Sequence, residues 1–298
     1  MGHPAMGHVI FIGAGPGAAD LITLRGASRL ARADVVLFDA LTDPALRELA
    51  PNAHWVNVGK RGFADSTGQA TINALLVKHA SEVNVVVRLK GGDPSVFGRL
   101  EEELTALALA GIACEVVPGV TAALAAAAST QRPLTRRGSG RSVSLSTAMT
   151  RDGALHASRS ADTEVFYMAG KQLAALSRRL LAAGWAAGTP VSVVSRAGWP
   201  DQRHSDHALQ DLARAAMLHA GRPTVVTVGA AAAPLEGGAV ASGADIDSAS
   251  ASASASASPS ASANVFTSVI TTAKAPVTSI GSTLFAVDRA PTMAGTKP

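Results

Sequence analysis

Short apolar runs alternate with helix-forming segments through the first 134 residues, and this alternation restricts the fold more than any other feature of the chain. Four runs carry apolar residues on both faces, as strands buried between two layers do; they span residues 8–15, 34–40, 83–93 and 112–119. Helical patterns stand between and after the runs, at residues 23–33, 69–80, 101–111 and 120–129. Strands joined by helices pair in parallel, so the sequence predicts an α/β domain with a parallel sheet over residues 1–134.

A polar connector containing Pro and Gly, at residues 131–141, predicts a domain boundary near residue 134. Four strands and two helices are predicted beyond it, the strands at residues 142–149, 164–170, 190–198 and 223–231 and the helices at residues 171–184 and 207–221. These elements predict a second α/β domain over residues 135–234.

Residues 235–298 differ in composition from the rest of the chain. The segment DSASASASASASPSASA has no apolar face to bury, so we expect a disordered tail. Residues 265–287 are long enough to cross a membrane, but Lys274, Pro276 and many Ser and Thr residues argue against a spanning helix. The first residues lack a cationic flank followed by an apolar segment, so we expect no signal peptide and a cytoplasmic location.

Charge and cysteine content exclude several classes of partner. The formal net charge is only +4, and no basic run is interleaved with aromatic residues, so no nucleic-acid or membrane partner is expected. Cys114 is the only cysteine, which excludes a disulfide framework and a cysteine metal cluster. We therefore expect no metal site.

Polar and glycine residues follow each predicted strand of the first domain. The strands end, in chain order, in GAGPG at residues 13–17, in Asp39, in KGGDPSVFGR at residues 90–99 and in PGVTAA at residues 118–123. Each loop taken alone is also typical of an ordinary turn. Ligands of open α/β sheets bind at the carboxyl ends of the strands, so we predict that these loops line one crevice.

The first loop matches the letters of a dinucleotide-binding fingerprint but not its mechanism. Gly13 and Gly15, with Ala18 in the last position, fit the pattern, and Gly17 stands between them and Ala18. A pyrophosphate needs a helix that starts directly at the glycines, so that its first amides face the phosphate. Here Thr23 is the predicted N-cap of the next helix, and Pro16 has no amide to donate. The loop favours a neutral or cationic ligand that lies against the backbone.

Several segments of the chain recur together in one known family. They are GAGPG, DVVLFDAL, VGKRG, VVRLKGGDPSVFGR and VVPGVTAALAAAA in the first half, and PLTRRG, VFYMAG and RPTVVTVG in the second. From residue 9 to residue 229 the chain resembles the tetrapyrrole methylases. Within them, GGDPSVFGR following GKR is similar to the branch that methylates uroporphyrinogen III at two ring carbons, giving precorrin-2 for sirohaem and cobalamin. The resemblance implies a parallel sheet in the first domain, a mixed sheet in the second, S-adenosylmethionine in the cleft between them, and a homodimer.

The resemblance also implies the site residues. The cofactor contacts would be Pro16, Gly91, Gly92, Asp93, Val96, Thr121, Ala122, Met168 and Ala197. Asp39 would accept a proton during methylation and Lys60 would donate one. The substrate carries many carboxylates, which pair bidentately with guanidinium groups. We therefore predict substrate contacts at Arg61, Arg99, Arg136 and Arg137.

Three segments depart from the family pattern. Ala148 and Met149 stand where the family often has Gly and His, Ala197 stands at a cofactor-contacting glycine because SRAG replaces ENGT, and Asp65 stands where a histidine is typical. Three alternatives stay open. They are another corrin-pathway precorrin C-methyltransferase, an oxidoreductase using NAD or FAD that rests on the glycine fingerprint and Asp39, and a non-catalytic binding protein derived from the methylases.

Overall fold

The parallel sheet expected in the first part of the chain is present, with five strands instead of four. The computed structural model describes residues 7–59, 68–148, 155 and 157–235. The strands of the first sheet are β1 (His8–Gly13), β2 (Val35–Phe38), β3 (His54–Asn57), β4 (Val85–Lys90) and β5 (Cys114–Val117). They lie in the order β3-β2-β4-β1-β5, and every pairing is parallel.

Helices cover both faces of this sheet, which explains the apolar character of its strands. They are α1 (Leu24–Leu30) on one face and α2 (Gln69–Glu82) with α3 (Leu100–Leu109) on the other. Ile12 of β1 packs in one core cluster with Leu30 of α1. Its neighbour Phe11 packs in another cluster with Leu76 of α2. Successive strand residues point to opposite faces, so a strand covered twice must be apolar at consecutive positions.

The second sheet is mixed. Its strands are β6 (Val143–Thr147), β7 (Thr163–Tyr167), β8 (Pro190–Ser195), β9 (Arg203–Ala208) and β10 (Thr224–Gly229), in the order β6-β7-β10-β8-β9. Only the β6–β7 pairing is parallel. On one face the sheet packs against α5 (Leu173–Ala182) and a 3₁₀ helix at Leu209–Ala216. On the other face it packs against α4 (Ala122–Ser129), which follows directly from β5 of the first sheet.

The sequence did not predict β3 and β9, and the helix predicted at residues 207–221 is wrong in both extent and type. Both unpredicted strands lie at an edge of their sheet, where only one neighbour covers them. β9 reads RHSDHA and shows no apolar face, so periodicity offers no signal. His207 and Ala208 pair with β8, and the residues after them form 3₁₀ turns with Leu209, Leu212 and Ala215 buried at intervals of three.

The first connection of the chain follows its sequence prediction. Thr23 precedes α1 and its hydroxyl accepts a hydrogen bond from the amide of Gly26 at 3.0 Å, as expected of an N-cap. Every helix among the described residues is too short or too polar to span a bilayer. The predicted residues Lys60, Arg61, Asp65 and Met149, and the tail from residue 236 onward, lie outside the described residues. The domain boundary near residue 134 stays a prediction.

Candidate active site

A pocket of about 250 Å³ lies where the carboxyl-end loops of the first sheet meet the second sheet. Its lining includes every predicted cofactor contact, namely Pro16, Gly91, Gly92, Asp93, Val96, Thr121, Ala122, Met168 and Ala197. Asp39 lines it as well. The crevice expected from the topology of the strands therefore exists, and the second sheet closes it. The role of each residue toward a ligand stays a prediction.

Glycine allows the loops after β1, β4 and β5 to meet at backbone distance. The amide of Gly92 donates to the carbonyl of Gly15 at 2.7 Å, and the amide of Gly15 donates back at 3.3 Å. Both residues have positive φ, +81° for Gly15 and +72° for Gly92, where side chains are strained. A Cβ placed on Gly13 would stand 2.5 Å from the Cα of Gly119. This wall of the pocket is consequently built from backbone.

The carboxylate of Asp93 fastens these loops together. One oxygen accepts from the amide of Ser95 at 2.8 Å and the other from the amide of Gly119 at 2.9 Å. Asp93 follows β4 and Gly119 follows β5, so this side chain joins the ends of two strands that do not pair with each other. The geometry makes Asp93 a residue that positions the loops of the pocket wall.

Asp39 is the partly exposed member of a cluster of four charged side chains, of which the other three are buried. Nη2 of Arg88 donates to Oδ1 of Asp39 at 2.6 Å, and Nε of Arg88 donates to Oε1 of Glu103 at 3.1 Å. Nζ of Lys90 donates to the other oxygen of Glu103 at 2.7 Å. Arg88, Lys90 and Glu103 are 2%, 3% and 0% exposed. Because water does not reach these charges, they are stabilised by pairing with one another. The cluster pairs two basic side chains, Arg88 and Lys90, with two acidic ones, Asp39 and Glu103.

The sequence did not identify Arg88, Lys90 or Glu103 as members of this cluster. A signal existed, because Arg88 and Lys90 stand two residues apart in an otherwise apolar strand and therefore share one face. Burial lowers the pKa of Lys90, the positive charge of Arg88 lowers it further, and Glu103 opposes both effects. Lys90 also lines the pocket. The cluster thus extends from the core to the pocket wall.

Trp199 holds the loop after β8 against the glycine loop after β1. Its Nε1 donates to the carbonyl of Pro16 at 3.1 Å, and the amide of Ala18 donates to the carbonyl of Gly198 at 2.8 Å. A Cβ on Gly17 would stand 2.4 Å from the indole ring. Gly17 therefore leaves room for Trp199, and the contact closes the pocket on this side. No role was predicted for Trp199.

An aromatic pair forms another part of the lining. The rings of Phe97 and Tyr167 are 5.0 Å apart, and the hydroxyl groups of Tyr167 and Thr121 are 2.8 Å apart. Burial raises the pKa of Tyr167. Phe97, Met168 and Arg196 line the pocket with φ between +52° and +57°. Backbone strain of this kind is concentrated at ligand sites, because the surrounding structure must hold it in place.

Of the predicted substrate arginines, Arg61 lies outside the described residues, and the three that are described do not line the pocket. Arg99 makes two hydrogen bonds of 2.7 Å to the neighbouring Glu102 and is exposed. The guanidinium group of Arg136 donates to the carbonyl groups of Ala231, Ala233 and Pro234. Arg137 does not line the pocket either. Among the described residues, the arginine that does line it is Arg196.

Comparison with known proteins agrees with the motifs of the sequence. The model of the tetrapyrrole (corrin/porphyrin) methylases matches residues 8–213. A uroporphyrinogen-III C-methyltransferase of Pseudomonas aeruginosa is 43% identical over 228 residues, which cover 75% of this chain and 93% of that protein. The siroheme synthase 1 of Pectobacterium atrosepticum is 45% identical over 231 residues, which cover 76% of this chain. The match covers 48% of that synthase, so the chain spans about half its length.

Solved structures share the fold. The uroporphyrin-III C-methyltransferase of Thermus thermophilus, solved with S-adenosylhomocysteine, superimposes with a TM-score of 0.66 at 35% identity, covering 75% of this chain and 97% of that one. A cobalt precorrin-4 methyltransferase superimposes with a TM-score of 0.68 at 29% identity, covering 76% and 96%. Both superpositions show that the chain shares its fold with these methyltransferase structures.

Proposed function

The chain belongs to the tetrapyrrole methylases, and from this premise we propose that it transfers methyl groups from S-adenosylmethionine to two ring carbons of uroporphyrinogen III, giving precorrin-2. The observation that carries the proposal is the pocket, whose lining brings together the motif residues of four separate loops of the first sheet. The relative at 43% identity, 93% of which is covered by the match, is named a uroporphyrinogen-III C-methyltransferase.

The pocket fits S-adenosylmethionine by the chemistry of its walls. Its surface is mostly apolar, with backbone groups of the glycine turns and a few side-chain polar groups, as small-molecule sites are built. Gly91, Gly92, Thr121, Ala122 and Ala197 would hold the cofactor through backbone and van der Waals contacts. When bound, the cofactor supplies a methyl group already activated by a positively charged sulfur. The protein's main task is consequently alignment.

Asp39 is the side chain that we assign to the reacting ring. Its Oδ1 is held by Arg88, and among the described residues no hydrogen bond to Oδ2 is present. Asp39 is 30% exposed at the pocket, whereas Arg88 is buried behind it. Methylation of a pyrrole carbon places positive charge on the ring, and a proton must then leave it. A carboxylate fixed beside the ring can stabilise that charge and accept the proton.

A second candidate is methylation of a later precorrin. It is favoured by the similarity to the cobalt precorrin-4 methyltransferase and by Ala197, which lines the pocket at a position where the family often has glycine. Such an enzyme would share the cofactor wall and differ in the tetrapyrrole that it accepts. An oxidoreductase is not supported, because α1 begins at Leu24 and a 3₁₀ turn at Ala19–Leu21 separates it from the glycines.

The proposal is tested by incubating the protein with uroporphyrinogen III and isotopically labelled S-adenosylmethionine under anaerobic conditions. We expect two labelled methyl groups per tetrapyrrole, counted by mass spectrometry, and a fluorescent product after oxidation. Tight binding of S-adenosylhomocysteine without any transfer to uroporphyrinogen III, together with transfer to a precorrin, favours the second candidate. Binding of NAD in place of S-adenosylhomocysteine contradicts both.

The family also supports a cytoplasmic homodimer made of two domains per chain, with residues 1–134 and 135–234 as the domains. Light scattering coupled to size-exclusion chromatography tests the dimer, for which a mass of about twice 30.0 kDa is expected. A mass of one chain at micromolar concentration contradicts it.

A further inference from the structure

Arg196 lines the pocket and stands at one of the positions where the chain departs from its family. The residue follows β8 and has φ of +53°, a left-handed conformation that is unfavourable for an arginine. Its backbone is fixed by a hydrogen bond from its amide to the carbonyl of Pro223 at 2.9 Å. The strained backbone directs the chain so that both Arg196 and Trp199 line the pocket.

Two neighbours fix the side chain of Arg196. Its Cζ lies 4.2 Å from the centroid of the Trp199 ring, a stacked arrangement. Its Nε donates to Oδ1 of Asp201 at 2.7 Å. Trp199 and Asp201 therefore hold the guanidinium group through its face and its Nε. Its two terminal nitrogens, which can donate in parallel to a carboxylate, make no hydrogen bond to the described residues.

Asp201 neutralises Arg196 only in part, because it serves a second arginine. Nη2 of Arg222 lies 3.1 Å from Oδ2 of Asp201, and Nε of Arg222 donates to Ser195 at 3.1 Å. Asp201 is 55% exposed, which weakens its field further. Two guanidinium groups thus share one carboxylate. The other cation of the described lining, Lys90, donates to Oε2 of Glu103, whereas Arg88 donates to Oε1.

We infer that Arg196 binds a carboxylate of the ligand in this pocket, through its two terminal nitrogens. The inference rests on the proposed function for the identity of the ligand. Two sources supply the same chemistry: the amino-acid carboxylate of S-adenosylmethionine and a carboxylate side chain of the tetrapyrrole. Stacking on Trp199 and the bond to Asp201 hold the group in place before binding, which lowers the entropy cost of the contact.

The test compares Arg196→Gln with the wild type on three probes. S-adenosylhomocysteine carries the amino-acid carboxylate, and 5′-methylthioadenosine lacks it while keeping the adenosyl thioether. Uroporphyrin III, the stable oxidised tetrapyrrole, carries the ring carboxylates. Affinities are measured by calorimetry for the first two and by fluorescence for the third. Arg222→Gln is the matched control, since Arg222 shares Asp201 but does not line the pocket.

A hydrogen-bonded ion pair of this kind corresponds to about tenfold to hundredfold in affinity. If the carboxylate belongs to the cofactor, Arg196→Gln lowers the affinity for S-adenosylhomocysteine by that factor. Its affinity for methylthioadenosine stays within threefold of the wild-type value. If the carboxylate belongs to the tetrapyrrole, the affinity for uroporphyrin III falls by that factor, and the affinities for S-adenosylhomocysteine and methylthioadenosine are unchanged. Arg196→Lys, which keeps the charge but not the planar fork, gives a smaller loss on the same probe and replaces Arg196→Gln if that variant does not fold.

Three results overturn the inference. They are unchanged affinity for every probe, an equal loss for S-adenosylhomocysteine and methylthioadenosine, and the same loss in Arg222→Gln. Each of them assigns to Arg196 only a structural part in the loop. These binding measurements do not depend on turnover. A wild-type protein that binds the probes but transfers no methyl group refutes the proposed function and leaves the inference on Arg196 to be decided by the binding data.

Discussion

Replacing Glu103 by Gln removes one charge from the buried cluster behind Asp39 and should destabilise the fold strongly. Glu103 is fully buried and accepts hydrogen bonds from both Arg88 and Lys90. Without its charge, two buried cations depend on Asp39 alone, which contacts only Arg88. Breaking a buried ion pair by removing one partner costs about 3–5 kcal/mol. For a folded unit of this size, that corresponds to a fall in Tm of about 6–20 °C.

Glu102→Gln is the matched control, because it alters the adjacent residue of the same helix. Glu102 is 49% exposed and pairs with Arg99 at the surface, so its loss should cost less than about 1 kcal/mol. Both variants are unfolded in urea and followed by far-ultraviolet circular dichroism. Adding Lys90→Met to Glu103→Gln removes the unpaired ammonium group and should restore part of the stability. Equal stability of Glu103→Gln and Glu102→Gln would refute the reasoning.

Two further predictions concern the second sheet and the glycine loop. Burial, together with electrostatic interactions with the neighbouring His207 and Arg222, lowers the pKa of His219 to about 4. Between pH 6.5 and 4 the folded state therefore binds fewer protons than the unfolded state. Up to about 3 kcal/mol of stability is lost as the pH falls through that range. His219→Asn should be less stable than the wild type at pH 7, but its free energy of unfolding in urea titrations should fall less between pH 7 and pH 5. An equal fall in the variant and the wild type would contradict the assignment of this pH dependence to His219. Gly17→Ala forces a Cβ to within 2.4 Å of Trp199. The substitution should lower the free energy of unfolding by about 1–3 kcal/mol and lower the affinity for S-adenosylhomocysteine in calorimetry. Wild-type affinity would show that the Trp199 contact does not shape the pocket.

The order of the first sheet's strands and helices was largely predictable, because burial on both faces leaves a strong signal. The apolar runs of β1, β2 and β4 became the central strands of the sheet, and the loops after them converge at its carboxyl edge. β3 and β9 were not predictable from the same pattern. An edge strand has one hydrogen-bonded neighbour and an exposed side, so polar sequences such as that of β9 are tolerated there.

The pocket wall, including Asp39 and Asp93, was predictable from the motifs, but the charged partners Arg88, Lys90 and Glu103 were not. Glycines in a loop allow its backbone to approach another segment closely. Gly15 and Gly92 do so, because they form a β-bridge between two loops of the pocket wall. Charged side chains are different, since their placement depends on partners distant in sequence. Arg88 is drawn inward by Asp39 and Glu103, whereas Arg99 is held at the surface by the adjacent turn of its own helix. Counting arginines near a motif cannot separate these two cases.

Asp39 provides the most direct test of the claim that this pocket methylates uroporphyrinogen III. Asp39→Asn is compared with Asp43→Asn, a nearby partly buried acid whose carboxylate accepts from the amide of Ala45 at the start of a 3₁₀ helix. In single-turnover transfer of labelled methyl groups, Asp39→Asn should bind S-adenosylhomocysteine with wild-type affinity and transfer about a hundredfold or more slowly, while Asp43→Asn transfers two methyl groups at the wild-type rate. Transfer of both methyl groups by Asp39→Asn at an undiminished rate would contradict the claim.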